Sequence, residues 1–309
     1  VTFSVTRQLK VNPEPYLITE IIASNIGGTA TLIGDPPNIM IGSAVKELSF
    51  MAFINNLALI SAVTLIVVLV ILCLVYRNWL KTTEELKSGI MNLDEKKELK
   101  DKVLLKKSLI VLGLTIMGFF LHQLLHLESA TVALGGAFML LLITSKTDHD
   151  LEHAFSRVEW TTIFFFIGLF VVVSGLVETG IISSLARSAI EFTGGDIKIT
   201  AILILWLSAI ASAFVDNIPF VATMIPMIQD MGTMGIANLE PLWWSLALGA
   251  CLGGNGSLIG ASANLIVAGL AAQEGIHLSF MRFFAVGFPI MLLSVLAATV
   301  YVYIRYLMV

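Results

Sequence analysis

The chain has 309 residues, 57% hydrophobic and only 13% charged, with a formal net charge of −4. Soluble domains carry about 25% charged residues, and the mean hydropathy here is +0.91, which excludes a soluble globular domain and argues against a nucleic-acid binder. The two cysteines, Cys73 and Cys251, lie in or beside apolar runs and suggest neither a disulfide framework nor a metal cluster.

Taken in chain order, residues 1–10 read as the tail of an element that begins upstream. Pro15 to Val45 is one spanning unit, broken near Gly27–Pro37, and Phe53–Tyr76 is a continuous span. Arg77 to Lys107 holds nine of the eighteen Lys and Arg residues together with six acids. It is a solvated loop, and the positive-inside rule makes it cytoplasmic. Ser108–Leu125, Ser129–Thr144 and Trp160–Val177 are three further spans, and Ile181–Phe192, with Arg187 and Glu191, suits the membrane interface. Ile197–Ile228 is apolar but holds Asp216, Asn217 and Pro219 at its middle, the pattern of a re-entrant hairpin with a polar tip. Leu242–Gln273 is a second broken span, Trp243-Trp244 reads as an interface anchor, and Phe280–Tyr306 is the last helix. The chain thus divides into 1–76, the 77–107 loop and 108–309, as an all-α, multi-pass protein of the inner membrane.

Two stretches nearly repeat at an offset of 226 residues, Gly27-Gly28-Thr29-Ala30-Thr31-Leu32-Ile33-Gly34-Asp35-Pro36-Pro37-Asn38 and Gly253-Gly254-Asn255-Gly256-Ser257-Leu258-Ile259-Gly260-Ala261-Ser262-Ala263-Asn264. Broken backbone survives in a bilayer only where protein or a watery cavity satisfies its polar groups. Paired interruptions mark the ion and substrate site of a secondary transporter. With the charged loop inside, the two motifs run in opposite directions, an inverted repeat whose first copy is expected to be truncated in a longer protein, since the equivalent of Asp216-Asn217 falls before residue 1.

Unwound carbonyls can coordinate a cation, and half-helix N-termini favour anions. Candidate ion- or substrate-binding residues are therefore Asn25, Gly28, Thr29, Asp35, Asn38, Asp216, Asn217, Gly254, Asn255, Ser257 and Asn264. Asn38 and Asn264 can cap the restarting helix or add a ligand. Asp216 is an intramembrane carboxylate, a functional group by default, though Asp is also favoured as a helix N-cap. Glu20 is a candidate proton relay or an interfacial acid. Helix packing through Gly256-x-x-x-Gly260 is the structural alternative for the second motif. His122 and His126 share a helix face at a membrane end, and His149 and His153 sit in a charged loop. No cofactor is expected beyond a coupling Na+ or H+, and no arrangement of an enzyme stands out.

At these motifs, with Ala23-Ser24-Asn25-Ile26 before the first and Ser212-Ala213-Phe214-Val215-Asp216-Asn217 at the hairpin tip, the chain resembles the arsenite permease and NhaD-type sodium/proton antiporter group. That group includes the melanosomal P protein and belongs to the wider ion transporter superfamily with its citrate-transporter-like domain. The resemblance implies a homodimer with scaffold and transport domains, two hairpins, two unwound loops and elevator-like movement. It implies sodium/proton antiport or arsenite/antimonite efflux, with a cytoplasmic ATPase as a partner to look for. A citrate or dicarboxylate symporter is the alternative, though dicarboxylate carriers have a Ser-Asn-Thr tip where this chain has Val215-Asp216-Asn217. A non-transporting membrane scaffold is the reading from another class.

Overall fold

The computed structural model describes residues 2–91, 101–145 and 147–308. Part of the charged loop, 92–100, lies outside the described residues. The described chain is helical, without strands, and five of its helices are long and apolar enough to cross a membrane.

A short helix α1 (Thr2–Leu9) leads to α2 (Glu14–Thr29), which runs into the first glycine motif and stops there, and α3 (Pro36–Ala44) restarts at the double proline within it. Pro36 and Pro37 occupy the first turn of α3, where a missing N–H costs nothing and φ is preset. The short α4 (Phe50–Phe53) and α5 (Leu59–Tyr76) form one apolar span, joined by a π-helical turn over Ile54–Ala58. Then come α6 (Glu84–Met91), α7 (Lys102–Leu121), α8 (Ser129–Thr144), α9 (Asp148–Ser156), α10 (Trp160–Glu178) and the amphipathic α11 (Ile181–Thr193). The hairpin consists of α12 (Ile197–Phe214) and α13 (Asn217–Thr233). Finally, α14 (Glu240–Gly253) ends in a 3-10 turn, α15 (Ser262–Gln273) restarts, and α16 (Phe280–Val302) runs into a π-helical turn at Tyr303–Leu307.

Contacts at the helix ends show the direction of the broken units. On one face, Arg282 at the start of α16 pairs with Glu14 at the start of α2 (2.9 Å). On the same face Arg7 pairs with Glu274, just after α15 (2.6 Å). The first broken unit therefore begins where the second one ends. At the opposite face the ring of Phe53 lies 5.1 Å from that of Trp244, whose indole N–H donates to Glu240 at the start of α14. There Arg305, near the end of α16, donates to the carbonyl of Asn55 and the side chain of Asn56. The units α2–α3 and α14–α15 are antiparallel, the geometry of an inverted repeat.

Both ends of the α12–α13 hairpin lie on this second face. Residues at the start of α12 share a cleft with Tyr303, and α13 ends against Leu239 beside α14. The 18 residues of α12 suffice to cross a bilayer, yet its C-terminus stops at the broken units. There Ser212 donates to the carbonyl of Ala250 (2.7 Å). α12 packs closely on α14 because Gly249 and Gly253 present no side chain. A Cβ on Gly253 would stand 2.6 Å from the carbonyl oxygen of Ala209, the small-xxx-small logic of membrane helix pairs.

Trp243 and Trp244 are not interface anchors. Both are buried, because α14 is enclosed by its neighbours and its indoles fill the core. α7, α8 and α10 instead expose broad apolar faces, including Leu109, Leu142, Phe164 and Val171.

Candidate functional site

The two glycine motifs fold into matching unwound tips. In each, a residue in extended conformation precedes the restarting helix, Asp35 (φ −146°, ψ 141°) and Ala261 (φ −151°, ψ 149°). Gly28 touches Gly34 backbone to backbone, and a Cβ on Gly28 would meet the Gly34 carbonyl oxygen at 2.6 Å. Gly254 and Gly260 face each other in the same way.

The two asparagines satisfy the freed carbonyls rather than capping the restarting helices. Asn38 Nδ2 donates to the carbonyls of Thr29 (3.1 Å) and Thr31 (3.0 Å). Asn264 Nδ2 donates to those of Gly254 (2.8 Å) and Ser257 (2.9 Å). Unwound backbone at membrane depth thus finds its partners inside the protein. The tips also meet each other: Asn25 Nδ2 donates to Asn255 Oδ1 and to Asn264 Oδ1, both at 2.9 Å.

The hairpin tip joins this centre. Asp216 caps α13 through Oδ1, which accepts from the Ile218 N–H (3.1 Å), while Oδ2 accepts from the Ser262 hydroxyl (3.1 Å). A cavity of about 290 Å³ lies between the starts of α3, α13 and α15. Its wall includes Asn25, Asp35, Asn217 and Ser262, and reaches Glu159 and Thr162 at the start of α10. Among the described residues, no Lys or Arg lines it. Asp35 is 9% exposed and Asn217 1%, and Asp35 Oδ2 and Asn217 Nδ2 have no hydrogen-bond partner. Buried polar atoms are almost always paired; the side chains of Asn217 and Cys251 lie beside the Asp35 carboxylate, and Asp35 Oδ2 and Asn217 Nδ2 are short of a well-formed bond that a ligand would supply. Asn255 Nδ2 is likewise unpartnered.

Broken antiparallel units around a polar cavity are the architecture of a carrier, and sequence comparison agrees. Residues 1–249 match the family described as citrate transporter. The chain belongs to that family. An "uncharacterized transporter" of Mycobacterium tuberculosis strain H37Rv is 40% identical over 308 residues, covering 99% of this chain and 71% of the relative. The "46 kDa membrane protein" of Mycobacterium leprae is 38% identical over 309 residues, with the same coverage. The mouse P protein is 33% identical over 386 residues, covering all of this chain and 46% of that protein. This member of the citrate transporter family is a multi-pass membrane transporter for small solutes.

Of the residues singled out from sequence, the family member brings Asn25, Gly28, Thr29, Asp35, Asn38, Asp216, Asn217, Gly254, Asn255, Ser257 and Asn264 into one centre. Thr29, Asn38, Asn255, Ser257 and Asn264 are fully buried and hold the tips together. Glu20 stands apart. It is exposed, accepts from the Thr2 hydroxyl (2.9 Å), and lines a separate cavity with Tyr16, Cys73 and Tyr76. His122 is fixed between elements, its Nε2 accepting from the Phe50 N–H (3.2 Å) and its Nδ1 bonding the Leu127 carbonyl (3.0 Å). Sequence reading missed Ser262, Glu159 and Thr162. Glu159 gave one signal, an acid directly before an apolar span.

Proposed function

We propose that the protein is a secondary active ion transporter whose coupling cation, Na+ or H+, engages Asp35. The observation that carries this reading is the buried Asp35 carboxylate, whose Oδ2 has no hydrogen-bond partner, in a cavity that no Lys or Arg among the described residues lines. A carboxylate in hydrocarbon is costly unless it is paired, hydrated or protonated, so a sodium ion or a proton relieves it. Asp216 and Glu159 add further negative charge nearby, which opposes an anionic cargo and suits sodium/proton antiport. Arsenite or antimonite efflux fits the same wall, because the arsenite species at neutral pH is an uncharged hydroxide that needs no cationic clamp. The broken units and hairpin would move as a body against the outer helices, elevator-like, within a homodimer, with the charged loop cytoplasmic.

The test is reconstitution of the full-length protein in liposomes with an internal pH dye. An external sodium pulse is expected to raise internal pH, and Asp35→Asn to abolish the response. A full response in Asp35→Asn overturns the assignment.

A second reading is sodium- or proton-coupled citrate or dicarboxylate symport. It is favoured by the family match and by the convergence of three helix N-termini on the cavity. Only α15 lacks an acidic residue at its cap, which is Ala261, so its free amides suit a carboxylate. Sodium-dependent uptake of labelled citrate selects this reading.

A further inference from the structure

The 226-residue offset relates side chains as well as backbone. Asn25 corresponds to Cys251, and Asn38 to Asn264. Asn25 of the first unit donates to Asn264 of the second. Cys251 of the second unit donates through its thiol to Oδ1 of Asn38 in the first (3.5 Å). Each unit therefore supplies the donor that orients the tip asparagine of the other. An amide can sit in either of two orientations, and its neighbours decide which end is the donor. With Oδ1 of Asn38 turned to the thiol, Nδ2 must face the carbonyls of Thr29 and Thr31. Cys251 is fully buried, and Thr29 and Asp35 are its other polar neighbours in the first tip.

We propose that Cys251 is a positioning residue for the first unwound tip, acting through Asn38, and that it couples the cation site of one unit to the backbone of the other. The functional part of this inference rests on Asp35 binding the coupling cation. The exchange is unequal, because a thiol is a weaker donor than an amide. The first tip, which carries Asp35, is held by the weaker bond and adjusts more readily when its carboxylate is engaged.

Full-length protein carrying Cys251→Ala, Cys251→Ser, Asn38→Ala or the Cys251→Ala/Asn38→Ala pair tests this. In liposomes, Cys251→Ala is expected to raise the half-saturating sodium concentration about threefold, the usual worth of one interhelical hydrogen bond in a bilayer. The maximal rate should stay near wild type, and Cys251→Ser, which keeps a donor, should restore the wild-type value. In detergent, the melting-temperature losses of Cys251→Ala and Asn38→Ala should be non-additive. Additive losses for Cys251 and Asn38, or a Cys251→Ala carrier with wild-type sodium saturation, overturn the proposal. If the wild-type protein shows no sodium-coupled flux, the cation reading fails by itself, and the melting cycle still decides the role of Cys251.

Discussion

Asp216 does two jobs that point substitutions can separate. Its Oδ1 caps α13, and its Oδ2 holds Ser262. Asp216→Asn keeps an oxygen for the cap and loses only the charge, so its melting temperature is expected to stay near wild type while sodium coupling in liposomes falls. Asp216→Ala loses the cap as well, at a cost of about 0.5–2 kcal/mol. Equal melting temperatures for the two variants would show that the cap is not used. The glycines give a second contrast. A Cβ on Gly28 meets backbone, whereas one on Gly27 meets nothing within 4 Å. Gly28→Ala is expected to destabilise by about 1–3 kcal/mol through overpacking. Gly27→Ala should be neutral or stabilising by up to about 1 kcal/mol, the helix propensity gained. Thermal unfolding in detergent reads both. At this scale the sequence was informative wherever chemistry and location coincided. An aspartate beside a double proline in an apolar run has few structural uses. Ser262, Thr162 and Glu159 escaped because their role comes from which elements surround them, which no local pattern records.

The repeated interruption made the two broken helices legible. The mode of repair was not, because an asparagine reaching back to carbonyls ten residues earlier looks the same in sequence as a helix cap. Asp216, Asn217 and Pro219 in mid-segment pointed to a polar tip, and the helix is interrupted there, between α12 and α13, despite a first arm long enough to cross the bilayer. The buried tryptophan pair misled, since aromatic residues near the start of a span are usual at membrane surfaces. Here the enclosure of α14 decides instead, and enclosure is a property of the assembled bundle. The α12–α14 seam yields its own prediction. Gly253→Leu would drive a side chain into the α12 backbone near Ala209, and loss of folded, monodisperse protein on size-exclusion chromatography is expected. Gly269→Leu, at a position with open space around it, is the control that should behave as wild type.

Across the whole molecule, the ion pairs of Glu14 with Arg282 and Arg7 with Glu274 mark the antiparallel order of the broken units. They also place Glu274 and Lys46 on opposite faces. In a Cys73→Ser background, a membrane-impermeant thiol reagent applied to sealed vesicles of one orientation is expected to label either Lys46→Cys or Glu274→Cys, and the other only after permeabilisation. Labelling of both from one side would refute the inverted arrangement. This order was legible in the sequence from the charged loop and the parity of the spans. The Arg7–Glu274 pair itself is exposed on both sides. Its removal should change stability by less than about 1 kcal/mol, so it reports the topology without enforcing it.

The mutual seat of Gly28 on Gly34, echoed by Gly254 on Gly260, works as a fixed gauge in the middle of the carrier. Main chain rests on main chain, so neither loop can be lengthened or decorated without prising its own helix halves apart. New cargo preferences must then be written on the surrounding walls. Randomising Thr162, Phe166, Ala263 and Ile266 should yield folded carriers with altered selectivity, while the same effort spent on residues 28–34 should yield mostly protein that never reaches the membrane.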